Sequence, residues 1–416
     1  MSRAKRLRNL IQSDAPTILM EAHSGLSARL VEEAGFEAIW GSGLSIAASL
    51  GVRDCNEASW TQVLDVVEFM SEATSLPILL DGDTGYGNFN NVRRLIRKLE
   101  QREIAGVCLE DKLFPKANSF IQGTRQKLAE VDEFCGKLRA AKDTQRDSDF
   151  VVVARTEAFI SGWPVEEALM RATAYAESGA DAVLIHSKRP TGADIFEFMR
   201  HWRGTCPLVI VPTTYPHEPL EDFTERGIKN FIFANHCLRT VITALQRNLK
   251  TLRQTQNPGA LENEIATVPE VFRLQNLSEL KEAEKRYLPK HEKTNRALIL
   301  AATQGDFGEL VKDKPKCMLN LRGRPILNWH RDTLKAQGMT EIGVVRGFAK
   351  QAVNIAGVHY FDNDAYAETG ELASLLRARD FLNGSLLIAY GDILYDSFVL
   401  KNLLSQDADI AIVADA

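Results

Sequence analysis

Gly106-Val-Cys-Leu-Glu-Asp-Lys-Leu-Phe-Pro-Lys-Ala-Asn-Ser119 runs from an apolar stretch into two adjacent carboxylates, Glu110 and Asp111, and on into a polar loop carrying Lys112, Pro115, Lys116, Asn118 and Ser119. A buried strand that delivers charge at its C-terminal end is how parallel α/β enzymes build sites. A strand end running into a solvated loop would look the same, so the reading turns on whether the pattern recurs.

It recurs along the chain. Short apolar runs closing on polar or glycine residues are Thr17-Ile-Leu-Met-Glu-Ala, Ala38-Ile-Trp-Gly-Ser-Gly, Pro77-Ile-Leu-Leu-Asp-Gly-Asp and the run from Gly106 itself. Four more follow: Phe150-Val-Val-Val-Ala-Arg-Thr-Glu, Ala182-Val-Leu-Ile-His-Ser, Leu208-Val-Ile-Val-Pro-Thr and Asn230-Phe-Ile-Phe-Ala-Asn. Between them, stretches such as Asn91-Val-Arg-Arg-Leu-Ile-Arg-Lys-Leu-Glu place apolar residues at helical spacing. Ala34-Gly35, Ala105-Gly106 and Ser178-Gly179-Ala180 read as helix C-caps leading into the next strand. Eight β/α units in roughly 240 residues is the arithmetic of a closed parallel (β/α)8 barrel. An open doubly wound sheet is the alternative, since a strand count does not prove closure.

Beyond the eighth run, Leu245 to Pro289 is charged and helical with an apolar stripe, and Pro289 to Arg296 is polar and reads as a linker. A second α/β pattern begins at Arg296-Ala-Leu-Ile-Leu-Ala-Ala and continues through Ile342-Gly-Val-Val-Arg, Val358-His-Tyr-Phe, Leu386-Leu-Ile-Ala-Tyr-Gly-Asp392 and Ile410-Ala-Ile-Val-Ala-Asp. At 416 residues, 45% hydrophobic, 25% charged and with a net charge of −5, the composition is that of an ordinary globular protein with no basic surplus for nucleic acid. No apolar run reaches membrane-spanning length, and the basic start, Met1 to Arg8, reads as a short helix rather than a signal peptide. Six scattered cysteines without a C-x-x-C pair argue against zinc or a disulfide framework and fit a reducing cytoplasm.

In a barrel, residues at the strand C-termini converge on one face. Those residues are Trp40, Ser42 and Gly43; Asp81 and Asp83; Glu110 and Asp111; Arg155 and Glu157; His186; Thr213; and Asn235. Asp54 reaches the same face from its loop. Singly, each has a bland reading: an Asp there caps a helix, a His is structural and a Trp is core. Together, hard oxygen donors without a Cys or His cluster suit Mg²⁺, and Arg155 with the Ser42-Gly43 amides suits an anionic substrate. Asp81-Gly-Asp83-Thr-Gly-Tyr-Gly87 is not an EF-hand, because its fifth and sixth positions are Gly85 and Tyr86, and Thr84 stands one residue early for an Asp-x-Asp-x-Thr phosphatase.

Five motifs over roughly residues 8–280 resemble the phosphoenolpyruvate mutase family of the isocitrate lyase superfamily. They are Trp40-Gly-Ser-Gly-Leu44-Ser-Ile, Gly51-Val-Arg-Asp-Cys-Asn-Glu-Ala-Ser-Trp60, Leu80-Asp-Gly-Asp-Thr-Gly-Tyr-Gly87, Glu110-Asp-Lys-Leu-Phe-Pro-Lys-Ala-Asn-Ser119 and Ile185-His-Ser-Lys. The resemblance implies a TIM-type barrel whose terminal helix is swapped with a neighbour in a dimer or tetramer, and Mg²⁺-dependent interconversion of phosphoenolpyruvate and phosphonopyruvate. It implies Asp81, Asp83 and Glu110 as the metal site, Asp81 as the direct ligand and Asp83 and Glu110, together with Asp54, acting through waters. It places Trp40, Ser42, Gly43, Leu44 and Arg155 around the pyruvyl end, and Lys116, Asn118, Ser119, Arg155 and His186 around the phosphoryl group, under a loop near residues 111–130 that closes as a lid. Lyases of the superfamily carry a catalytic Cys that Lys112-Leu-Phe-Pro-Lys-Ala-Asn lacks. Phosphonopyruvate hydrolase is the nearer rival, and Asn118, in place of a hydroxyl residue, favours the mutase. Gly82 stands where a small Ala is common, and little effect is expected.

Ala297-Leu-Ile-Leu-Ala-Ala302, Lys314-Pro-Lys-Cys-Met-Leu, Gly323-Arg-Pro-Ile-Leu and Tyr390-Gly-Asp392 resemble the sugar-phosphate nucleotidyltransferase family. This implies a partial, Rossmann-like α/β domain lacking the family's acceptor-binding half, which would charge a phosphonate from CTP with Lys316 and Asp392 as the site residues. Its phosphate loop departs from the family: Thr303 replaces a glycine and Phe307 an arginine. The expected division is a barrel over 1–255, a helix-swap segment and linker over 256–295, and the partial nucleotidyltransferase-like domain over 296–416.

Overall fold

The computed structural model describes residues 1–118, 127–288, 295–406 and 408–414. Residues 119–126 of the expected lid, Ser119 among them, and residues 289–294 of the expected linker lie outside the described residues. The chain divides into two units, Met1–Ser278 and Glu279–Ala416.

In the first unit, eight parallel strands close into a barrel in sequence order: β1 (Thr17–Ala22), β2 (Ala38–Gly41), β3 (Ile78–Asp81), β4 (Gly106–Glu110), β5 (Val151–Thr156), β6 (Ala182–Ile185), β7 (Leu208–Ile210) and β8 (Asn230–Phe233). The β8–β1 pairing, Thr17 opposite Asn230 through Met20 opposite Phe233, excludes the open sheet. Every strand gives at least one residue to an interior cluster: Leu19, Trp40, Leu79, Cys108, Val153, Leu184, Val209 and Ile232, with Ala38, Val151 and Ala182 as second contributions from β2, β5 and β6. Their neighbours along the strands, such as Leu80, Val107, Leu109 and Val152, pack outward with the helices. The basic N-terminal segment forms α1 (Arg3–Ile11), capped by Ser2, and its Leu7 and Ile11 join the interior cluster.

The surrounding helices begin at side-chain caps that the sequence supplies. Ser24 opens α2 (Gly25–Glu33), Ser42 opens α3 (Gly43–Ser49), Ser59 opens α4 (Trp60–Ala73) and Asn88 opens α5 (Phe89–Glu100). Then come α6 (Val131–Thr144), α7 (Val165–Glu177), α8 (Ala193–His201) and α9 (Leu220–Thr224). Gly35 (φ +86°) and Gly179 (φ +98°) take the left-handed turns expected of them. Ala105-Gly106 does not cap a helix: Glu103 (φ +56°) makes that turn, and Gly106 opens β4.

The remaining helices of this part of the chain behave differently. α10 (His236–Thr255), α11 (Val268–Leu274) and α12 (Leu277–Tyr287) contain no buried residue, and Val241, Ile242, Leu245, Leu249, Val268, Val271, Phe272 and Leu280 are exposed.

The second unit holds a four-stranded parallel sheet in the order β13-β12-β9-β14: β9 (Arg296–Ala301), β12 (Glu341–Arg346), β13 (His359–Asp362) and β14 (Leu387–Tyr390). A two-stranded ribbon, β10 (Asn320–Leu321) with β11 (Arg324–Pro325), and helices α13 (Ile326–Ala336), α14 (Glu371–Arg377) and α15 (Ser397–Leu404) complete it. The strand expected from Ile410 does not form among the described residues: Ile410 and Ile412 are 81% and 82% exposed, with no ladder partner to hold them extended. Among the described residues no helix is long and apolar enough to cross a membrane.

Gly106 shows how tightly the barrel closes. A Cβ there would stand 2.6 Å from the Val151 carbonyl oxygen and 3.0 Å from Leu7 Cδ2, and the oxygen belongs to backbone that cannot swing aside. Gly106→Ala should therefore destabilise the first unit by about 1–3 kcal/mol, the usual scale of overpacking, read as a lower midpoint in urea unfolding.

Candidate active site

β3, β4 and β5 are neighbours, with Asp81 opposite Cys108 and Glu110 opposite Arg155, so their charged ends lie side by side. Asp83 follows β3 in a left-handed conformation (φ +48°) within the Asp81–Gly87 turn. That turn is tight: a Cβ at Gly82 would press to 2.4 Å from Val107 Cγ2, so an alanine here would require Val107 to shift.

The acids gather against the N-terminus of α3. A Cβ on Gly43 would be 3.2 Å from Asp81 Oδ2 and 3.3 Å from Asp83 Oδ1, so any side chain there would press on both carboxylates. Ser42 is buried and caps α3 by accepting from Ser45 N at 3.3 Å. Leu44 follows, half-buried, and Trp40 is buried in the barrel interior below. Asp54 enters from the loop after α3.

The loop after β4 brings the opposing charge. Lys116 Nζ is 2.7 Å from Asp54 Oδ1 and 2.5 Å from Asp83 Oδ1, and the Asn118 amide donates to Asp54 Oδ2 at 2.7 Å. Arg155 Nη2 is 3.6 Å from Glu110 Oε2 and 2.8 Å from His186 Nδ1. The structure thus brings Asp54, Asp81, Asp83, Glu110, Lys116, Asn118, Arg155 and His186 to the C-terminal face of the barrel. Thr213 and Asn235 stand apart, and their side-chain oxygens have no hydrogen-bond partner among the described residues.

Burial sets the electrostatics. It pushes the Asp83 carboxyl up to about 7, and the charges of Asp81, Asp54 and Glu110 push the same way against Lys116. Asp81 is raised for the same reasons. Burial also works on Asp54, but Lys116 and Asn118 outweigh it and hold that carboxyl below its ordinary value. Burial and then Arg155 lower His186, leaving the imidazole neutral at neutral pH.

Three residues of this network were not singled out for roles from the sequence. Asn56, in a left-handed turn (φ +60°), donates to Asp83 Oδ2 and accepts from Lys116 N, each at 2.7 Å, and so ties the acids to the loop. Its only signal was a position two residues after Asp54. Lys112, buried, stands 3.4 Å from Glu110 and 3.2 Å from Glu157. Glu157, a bare strand-end acid in the sequence, is fully buried beside Arg155 and His186. Asp111, by contrast, turns away from the site. It accepts from Glu157 N, Tyr175 and Thr156 and pairs with Arg171, while burial pushes its carboxyl up to about 6.

Do these residues fit a metal ion? Both oxygens of Glu110 are buried without a hydrogen bond among the described residues, with only the charges of Lys112 at 3.4 Å and Arg155 at 3.6 Å beside them, and Asp83 Oδ1 faces the Lys116 ammonium at 2.5 Å. Yet no three acids, histidines or cysteines among the described residues are arranged to enclose an ion. A cluster of hard oxygens that does not form a cage suits a cation that keeps much of its own water.

In the second unit, Lys316 Nζ pairs with Asp392 at 3.2 Å and lies over the Phe307 ring, 5.2 Å from its centroid. Gly305 (φ +79°) passes directly under the Lys316 stem.

Acids, an arginine and a neutral histidine converging on the C-terminal mouth of a (β/α)8 barrel define an enzyme that handles a small anionic substrate. Residues 7–253 match the family model described as phosphoenolpyruvate phosphomutase, and the chain belongs to that family. Residues 297–416 match the model of a MobA-like NTP transferase domain. A phosphoenolpyruvate phosphomutase of Tetrahymena pyriformis is 56% identical over 283 residues, covering 68% of this chain and 94% of the relative. The crystal structure of a phosphoenolpyruvate phosphomutase from Streptomyces platensis subsp. rosaceus is 45% identical with a TM-score of 0.67, covering 70% of this chain and all of that one. A phosphonopyruvate hydrolase in complex with oxalate and Mg²⁺ is 36% identical with a TM-score of 0.66, again covering 70% of this chain and all of the other.

Proposed function

We propose that the chain interconverts phosphoenolpyruvate and phosphonopyruvate by Mg²⁺-dependent intramolecular phosphoryl transfer, making the carbon–phosphorus bond of phosphonate biosynthesis. The observation that carries this reading is the meeting of Asp54, Asp81, Asp83 and Glu110 with Lys116, Asn118, Arg155 and His186 at one mouth. The phosphorus–oxygen bond breaks at C2 of the substrate and a phosphorus–carbon bond forms at C3, so no group is lost or gained.

Asp81 would hold Mg²⁺ directly, and Asp54, Asp83 and Glu110 through waters. Bound there, the ion would offset negative charge on the pyruvyl oxygens. Ser42, Gly43 and Leu44 would seat the pyruvyl end through backbone amides and the Ser42 hydroxyl, above Trp40. Arg155 can reach both ends of so short a substrate. Lys116, Asn118 and His186 would hold the migrating group, with Ser119 assigned beside them from the sequence motif. A loose, metaphosphate-like transfer asks mainly for such positioning and charge. Asn118 supports transfer to carbon over loss to water, because an amide already donating to Asp54 offers no hydroxyl to order a nucleophilic water.

The exposed apolar residues of α10, α11 and α12 support a homo-oligomer, dimer or tetramer, in which this segment is exchanged with a second copy. The functional division is 1–255 for the mutase barrel, 256–295 for the exchanged segment and linker, and 296–416 for the nucleotidyltransferase-like part. A cytoplasmic location agrees with the scattered free thiols.

The alternative, a hydrolase, is separated by ³¹P NMR of the protein with phosphonopyruvate and Mg²⁺: phosphoenolpyruvate should appear, not inorganic phosphate and pyruvate. In that assay Asp81→Ala should lose about 10²- to 10³-fold in turnover, the scale of one electrostatic stabiliser. Its melting temperature should hold, because burial already penalises the Asp81 charge. Unchanged turnover and Mg²⁺ affinity would remove Asp81 from the metal site. Asn118→Thr should lower isomerisation at least tenfold, a loss of more than about 1.4 kcal/mol, with phosphate release rising relative to it. A variant isomerising at the wild-type rate contradicts the role given to Asn118.

For residues 296–416 we propose a nucleotide-binding or docking module that does not transfer CTP's nucleotide. Phe307 cannot give the bidentate bonds of an arginine. At roughly 1.5–3 kcal/mol for each charge-assisted bond, losing two costs about two to four decades in affinity. Lys316 is already engaged by Asp392 and the Phe307 ring. The full chain with CTP, Mg²⁺ and phosphonates should release no pyrophosphate above background. Release that requires both CTP and a phosphonate would overturn this.

A further inference from the structure

Among the described residues, Glu157 is a fully buried carboxylate at this mouth that the mechanism above leaves without a task, and it is held by close polar contacts. Its Oε1 accepts from Arg155 Nε at 2.5 Å and lies 2.7 Å from His186 Nδ1, and its Oε2 is 3.2 Å from Lys112 Nζ. One acid therefore touches a residue of its own strand, the histidine that follows β6, and the lysine at the root of the loop carrying Lys116 and Asn118.

We propose that Glu157 is a positioning residue: its carboxylate fixes the plane of the Arg155 guanidinium and keeps the ring proton of His186 on Nδ1. The inference rests on the mutase reading for its kinetic consequence, but not for its geometry.

The argument concerns where one hydrogen sits. His186 Nδ1 is 2.7 Å from Glu157 Oε1 and 2.8 Å from Arg155 Nη2. A guanidinium only donates and a carboxylate only accepts, so a neutral ring satisfies one of these neighbours at a time. With the proton on Nε2, two lone pairs would face each other across 2.7 Å, one of them on a full negative charge. With the proton on Nδ1, the carboxylate is satisfied, and Arg155 Nη2 still has Glu110 Oε2 nearby, at 3.6 Å. The second arrangement costs less. The charges around the ring agree. Burial works against the ionised form of Glu157, but Arg155, Lys112 and His186 outweigh it and hold that carboxyl well below its ordinary value. The Glu157 charge in turn raises His186 against burial, Arg155 and Lys112.

Glutamine at this position would keep the shape and lose the function. Three donors, on Arg155, His186 and Lys112, surround the two carboxylate oxygens, and an amide offers one acceptor oxygen and a second donor. Either Lys112 or the Arg155–His186 pair must then face an N–H.

The test is ¹⁵N NMR of the histidine rings, with His186→Gln used to assign the signal, alongside kinetics. Wild-type protein should show His186 as the Nδ1–H tautomer. Glu157→Gln should move the ring toward Nε2–H, lower its titration midpoint, and cut kcat on the order of 10²-fold, the cost of misplaced reacting groups, with a smaller change in KM. An Nε2–H ring in the wild type overturns the proposal whatever the variants do. So does a Glu157→Gln enzyme with wild-type kcat, or one slowed with the His186 signals unmoved, which would mark packing alone. If Glu157→Gln does not fold, Glu157→Asp, which keeps both acceptor oxygens, should retain the Nδ1–H ring with a reduced kcat, and loss of that tautomer would count against the proposal. Should wild-type protein fail to isomerise phosphonopyruvate, the functional reading falls while the tautomer result still stands.

Discussion

Charge taken out of water must be paired, and the C-terminal mouth of the barrel is arranged around that demand. Asp81, Asp83, Glu110 and Glu157 are all buried, and an isolated buried carboxylate costs several kcal/mol. Lys112, Lys116 and Arg155 are buried among them and answer the charge. The balance is unequal: Asp83 is pushed up to about 7 while Glu157 is held well below its ordinary value. The difference follows from neighbours. Glu157 faces cations and an imidazole, whereas Asp83 faces other acids with one lysine between them. A group of acids short of positive charge beside another that is saturated with it is what a site for a cation and an anion together requires.

Much of this was legible in the sequence because barrels repeat. Each strand is an apolar run with a fixed end, so the charged residues at those ends could be placed on one face before any coordinates were known. Ring closure was not legible, since it depends on β8 meeting β1, a pairing between residues more than two hundred positions apart. Local readings failed where tertiary contacts overrode them. Gly106 looked like a helix cap, but its lack of a Cβ is needed for the approach to Val151. The apolar residues near Ile410 looked like a strand, but a strand exists only with a partner to ladder onto. Asn56 was missed because its role lies in joining two loops, and an Asn in a polar turn announces only the turn. Lys112 and Glu157 were in view but had no meaning until their distances showed that they face each other.

The two matched regions hold their motif residues differently. In the barrel, the motif acids Asp54, Asp81, Asp83 and Glu110 fall at strand ends or in adjoining loops. In the second unit Gly305 passes under Lys316, and that lysine lies over the Phe307 ring and pairs with Asp392. On the docking reading proposed above, a phosphate approaching this lysine would meet a charge already answered and a path partly filled by an aromatic ring.

The same reasoning bears on why phosphorus should move to carbon and not to water. Both outcomes share the first bond to break, so the choice falls to what stands beside the departing group. Lys116 holds Asp54 and Asp83, and Asn118 holds Asp54, so the loop bearing both is tied to the acids through three side-chain contacts, with Asn56 adding a fourth through the backbone. Donors fixed in that way can orient a phosphoryl group without offering a nucleophile of their own. An ammonium and a carboxamide are both poor at activating water: the first has no lone pair while charged, and the second, although its oxygen accepts hydrogen bonds, is too weak a base to take a proton. On the reading proposed above, excluding hydrolysis falls to the same two side chains: both are anchored to acids, and neither offers a hydroxyl to a departing phosphoryl group.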